Sequence, residues 1–70
     1  MEKVNLYFKD GDHGVIAFRY TSIIPRTGEK ITIATGDEFL YFIVKNLSWF
    51  YLKDETKVYV LMERERHERR

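Results

Sequence analysis

Seventy residues, 44% of them hydrophobic, with five Tyr, five Phe, one Trp, no cysteine and a formal net charge of +1, suffice for one small domain. A chain of this length hides only about 60% of the surface its unfolded form exposes, so its core must be dense. Disulfides are excluded, as is a thiolate zinc site, and the only histidines are His13 and His67. Each aromatic side chain brings about 150–250 Å² of burial, which predicts a tightly filled aromatic core.

The first strand signal is "KVNLYFKD", in which Val4, Leu6 and Phe8 alternate with Asn5, Tyr7 and Lys9. "DGDHG", residues 10–14, follows as a hairpin loop, because glycine supplies positive φ and aspartate bonds its own backbone. "VIAFRYTSII" resumes the alternation, with Ile16, Phe18 and Tyr20 on one side and Val15, Ala17 and Arg19 on the other. In "PRTGE", residues 25–29, Pro25 fixes φ, Arg26 and Thr27 continue a type I turn, and Gly28 takes the left-handed position. This reads as a corner, and only Arg26 lacks a backbone reason to be there. "EKITIAT" gives a third strand with Ile31 and Ile33 on one face.

"TGDE" is the next turn, after which residues 39–44 are six apolar residues in a row, fit for a central strand. A phase shift at Lys45-Asn46 restarts the pattern as "LSWFYL", so a bulge or bend is expected at residues 45–48. "KDET" turns the chain, and "KVYVLM" closes it with Val58, Val60 and Met62 opposite Tyr59 and Leu61. The expected fold is all-β: a small SH3-like barrel of five to six antiparallel strands over residues 1–62, with a half-open barrel or sandwich as the alternative. Residues 63–70, "ERERHERR", form a charged tail open to helix, with Glu65 and Arg69 spaced i,i+4.

That tail carries four arginines against three glutamates, leaving eight basic and eight acidic residues in the body. An electrically balanced body argues against a dedicated nucleic-acid binder. The N-terminus lacks the basic and apolar regions of a secretory signal, and no apolar run approaches the ~20 residues needed to span a bilayer, so the expected location is cytoplasmic, without membrane contact.

"IPRTGEKI", an aromatic strand around "LYFIV", then "LSW" and a closing "KVYVLM" resemble small uncharacterised bacterial and phage proteins of the SH3-like barrel type. In those a Pro-Arg-x-Gly-Glu segment opens a strand that an aromatic strand and a terminal hairpin follow. The resemblance covers residues 23–62 and implies a fold and a microbial or phage setting. It transfers no catalytic or binding residue.

Chemistry-bearing constellations are few. Asp10, Asp12 and His13 offer oxygens and an imidazole, but Thr21 stands where a calcium loop needs its bidentate glutamate, so a turn is the better reading and no metal or cofactor is expected. Ser22 and Ser48 lie in no nucleophile elbow, and the Asp37-Glu38 and Asp54-Glu55 pairs fall in turns where solvated charge is ordinary. No enzymatic activity and no small-molecule substrate are expected. Alternation does place Tyr7, Tyr59 and one member of each pair Phe39/Leu40, Tyr41/Phe42 and Trp49/Phe50 opposite the core. The candidate binding residues are therefore Tyr7, Tyr41, Trp49, Tyr51 and Tyr59, with Arg26 at the rim. The expected role is a protein-interaction module, with a homodimer among its forms. The alternative is nucleic-acid binding by stacked rings beside a basic edge of Arg19, Lys30, Arg64, Arg66, Arg69 and Arg70, diluted by Glu63, Glu65 and Glu68.

Overall fold

The structure, a computed structural model, describes residues 2–65. Five strands form one sheet: β1 Val4–Asp10, β2 Val15–Thr21, β3 Lys30–Thr35, β4 Glu38–Tyr51 and β5 Thr56–Arg64. The order across the sheet is β2-β1-β5-β4-β3, and the sheet curls into a half-open barrel. The described part of the chain is thus all-β, as the alternation requires.

Its inner face is the core. Val4 and Leu6 of β1, Phe42 and Val44 of β4, and Val58, Val60 and Met62 of β5 are buried there, with Phe8, Ile24, Ile31, Ile33, Leu40 and Leu47 packed around them. Phe42 is the only ring in that buried set. The expected aromatic core is therefore an aliphatic one, because alternation sends most rings to the opposite face of the same strands.

One further expectation is corrected and another is narrowed. The strands are not all antiparallel, since β1 and β5 pair in parallel, Leu6 beside Val58 and Phe8 beside Val60. The cause is topological: when five strands reverse direction one after another, the first and last run the same way, so bringing them together gives a parallel pair. The count stays at five because residues 38–51 form one continuous strand, whose register slips between Val44 and Asn46 as the phase shift predicts. That strand pairs with β3 over Glu38 to Ile43 and with β5 over Phe42 to Tyr51.

Among the described residues the start of the charged segment is strand, not helix. Glu63 and Arg64 are the last residues of β5, held by Ile43 and Phe42 of β4, and residues 66–70 lie outside the described ones. The Glu65/Arg69 helical spacing thus falls partly outside the described residues.

"PRTGE" is a corner that docks on β4. The Gly28 N–H donates to the Val44 carbonyl at 2.8 Å, and the Val44 N–H donates to the Glu29 carbonyl at 2.9 Å. Gly28 meets this with φ +95, a backbone conformation that a residue bearing Cβ adopts only under strain. The Arg26 N–H donates to Glu29 Oε1 at 2.9 Å, which closes the turn. Between Asp10 and Val15, a 3-10 turn at Gly11–His13 links β1 to β2, closed by the Asp10 N–H to the Gly14 carbonyl at 2.9 Å.

Candidate functional site

Register fixes which side chains share the outer face. Phe18 of β2 stands opposite Tyr7 of β1, and Tyr7 lies beside Tyr59 of β5. Ser48 of β4 is opposite Tyr59, which brings Phe50 to its diagonal. The result is a row of four rings across four adjacent strands. Centroids are 5.2 Å apart for Phe18 and Tyr7, 5.0 Å for the stacked Tyr7 and Tyr59, and 5.3 Å for the edge-on Phe50 and Tyr59. Each neighbouring pair lies within the range where offset or edge-to-face rings attract, so the row is mutually braced.

Around the row lie Ile16, Tyr20 and Leu61, all exposed. A shallow groove of about 400 Å³ runs along its β4 side, lined by Lys9, Asn46, Ser48, Phe50, Tyr59 and Leu61. Lys57 Nζ sits 6.0 Å from the Tyr7 centroid and Lys3 Nζ 5.6 Å from that of Tyr20, the range of cation–π attraction. Acidic groups are present as well. The Asn5 side-chain amide donates to Glu55 Oε1 at 2.8 Å, and Lys45 pairs with Glu63 at 3.5 Å.

The five aromatics singled out in the sequence do not form one patch. Tyr7 and Tyr59 are the centre of the row. Tyr41 also faces outward, on the first half of β4 opposite Thr32, away from the row. Trp49 and Tyr51 belong to the core side, on the parity of Leu47, and stack on each other at 6.0 Å where β3 no longer covers β4. Of the Trp49/Phe50 pair, Phe50 is the member opposite the core. Phe18 and Tyr20 escaped sequence reasoning, although a legible signal existed: the "DGDHG" loop sets the hairpin register, and that register puts Phe18 beside Tyr7.

The basic edge does not assemble among the described residues. Arg19 shares the inner face with Leu6, and its Nη1 donates to the Phe18 carbonyl at 2.6 Å. Lys30 pairs with Glu65 at 3.1 Å. Arg64 is turned inward over the Phe42 ring and donates to Asp10 Oδ2 from Nη2 at 3.0 Å and from Nε at 3.3 Å, pairing with the one charged residue that is buried among the described residues. Arg26 is exposed at the corner. Arg66, Arg69 and Arg70 lie outside the described residues.

Among the described residues no group of three or more His, Asp or Glu side chains converges to hold a metal ion. Neither is any helix long and apolar enough to cross a membrane. Comparisons with family models, curated proteins and solved structures find no match.

Proposed function

We propose that the chain is a non-enzymatic protein-interaction module and that the outer face centred on Tyr7 and Tyr59 is its contact surface. One observation carries the reading: Phe18, Tyr7, Tyr59 and Phe50 form one contiguous row of rings on the outer face, flanked by exposed Tyr20 and Leu61, and no other described element of the chain covers it. An apolar sheet face is ordinarily buried against a second layer, and a contiguous exposed aromatic patch within a polar rim is the usual composition of a protein interface. The rim here holds both signs of charge, as protein interfaces tolerate and phosphate-tracking surfaces do not. In this reading the protein is a small SH3-like accessory factor of a bacterium or phage, working in the cytoplasm. The Pro-Arg-x-Gly-Glu corner and the curled, all-β half-barrel support that assignment.

A second reading, single-stranded nucleic acid stacked on the rings, draws its support from Lys57 and Lys9, which have no carboxylate partner among the described residues. A photo-crosslinking side chain placed at position 18 or 50, with position 49 as the inner-face control, tests both. Protein adducts from 18 and 50 but not from 49 are expected. Nucleic-acid adducts from the same positions would replace the first reading by the second, and adducts from 49 alone would overturn both.

A further inference from the structure

We infer that the layer covering the outer face is a second copy of this chain, packed sheet on sheet. The inference rests on the reading of that face as a protein contact surface and adds the identity of its occupant.

Area is the first argument. Phe18, Tyr20, Phe50, Ile16 and Leu61 are exposed by 44%, 60%, 48%, 37% and 36%. At about 200 Å² for a fully exposed ring and somewhat less for Ile and Leu, these five with half-buried Tyr7 and Tyr59 offer roughly 450 Å² of apolar surface. Two copies then bury about 900 Å² of apolar area. At the ~65% apolar content of homodimer interfaces this corresponds to about 1,400 Å² in total, within the 1,200–2,000 Å² of stable interfaces.

Symmetry is the second. A two-fold interface must match a patch to itself. The row Phe18, Tyr7, Tyr59, Phe50 has its rings on β2, β1, β5 and β4 in order, with its midpoint between the parallel strands β1 and β5. A two-fold axis running along the strands above that midpoint lays Phe18 of each copy against Phe50 of the other, with the strands of the two sheets aligned, as packed sheets prefer.

Charge is the third, and it makes the placement specific. Asn5 and Lys57 are register partners on the two strands that flank the axis, and Asn5 holds Glu55. The same axis brings Lys57 of each copy over the Asn5–Glu55 pair of the other, so two cations meet two carboxylates. A net charge of +1 leaves little long-range repulsion to oppose association.

Sedimentation of the full chain from micromolar to millimolar concentration tests this, with melting measured at both ends of the range. The wild type should run as a dimer whose melting temperature rises with concentration, as mass action requires. Leu61→Glu and Phe50→Glu each enter the interface twice and should weaken dimerisation by at least about a hundredfold, leaving a folded monomer whose melting is independent of concentration. Lys57→Glu should weaken it about tenfold or more, and Lys57→Glu with Glu55→Lys should restore it. Because positions 50 and 61 are exposed, a substituted chain that melts cooperatively keeps the test valid, and the charge swap decides the matter should either glutamate variant fail to fold. A wild type that is monomeric throughout would overturn the inference, as would a dimer indifferent to all of these changes. If the monomer nevertheless crosslinks to another protein from positions 18 and 50, only the identity of the occupant falls. If it crosslinks to nothing, the contact-surface reading falls with it.

Discussion

Phe42→Ala should unfold the isolated domain, and Tyr41→Ala should not. Phe42 is wholly buried at the junction where β4 pairs with both β3 and β5, while its neighbour Tyr41 is 41% exposed on the other face. Truncating a buried Phe to Ala costs about 3–5 kcal/mol, the lost transfer energy plus the cavity left behind. A domain near seventy residues rarely holds more than about 3–5 kcal/mol in all, so the variant has nothing left at 25 °C. Phe42→Leu, which nearly conserves volume, should cost about 1 kcal/mol and lower Tm by about 4–8 °C. Tyr41→Ala should cost about 1 kcal/mol or less. Thermal melts followed by circular dichroism supply the numbers, at low protein concentration so that association adds nothing to apparent stability. A cooperative Phe42→Ala transition within a few degrees of the wild type would refute the face assignment, and with it the packing described for β4.

Four further outcomes rest on the same geometry. Arg64→Ala strips the buried Asp10 of both its guanidinium hydrogen bonds and should lower stability by about 1 kcal/mol, less than charged hydrogen bonds usually contribute because Arg64 is itself half exposed; a denaturant midpoint equal to the wild type would contradict it. The double variant Asp10→Ala with Arg64→Ala should cost less than the two single losses together, since neither charge is then stranded, and strict additivity would show that the pair is not coupled. Gly28→Ala meets no atom within 4 Å but keeps φ at +95, so its cost of about 1–2 kcal/mol is purely backbone, and hydrogen exchange should show the Val44 amide losing protection; unchanged protection would mean the corner does not hold β4. Trp49→Ala and Tyr51→Ala, whose rings stack on the core side, should leave sedimentation unchanged, whereas a monomer produced by either would move the interface to that side.

Alternation fixes the strands, their turns and, wherever only one parity is apolar, the face that each side chain takes. Val4, Leu6, Ile31, Ile33, Val58, Val60 and Met62 all lie on the faces their alternation predicts, because a period-two pattern with one apolar side leaves no choice. The corner at residues 25–29 and the slip near Lys45 were legible too, since glycine, proline and a broken phase have local causes. Tertiary structure decided what alternation leaves open. In residues 39–44 both parities are apolar, so only contact with β3 and β5 selects Phe42 for the core and Tyr41 for the outside. In "LSWFYL" the same contact puts Trp49 on the core side and Phe50 in the ring row. The parallel β1–β5 pair, the turning of Arg64 inward onto Asp10 rather than outward into a basic edge, and the alignment of Phe18 with Tyr7 all join residues distant in sequence. Periodicity says that a strand has two faces, and only its neighbours determine which one is inside.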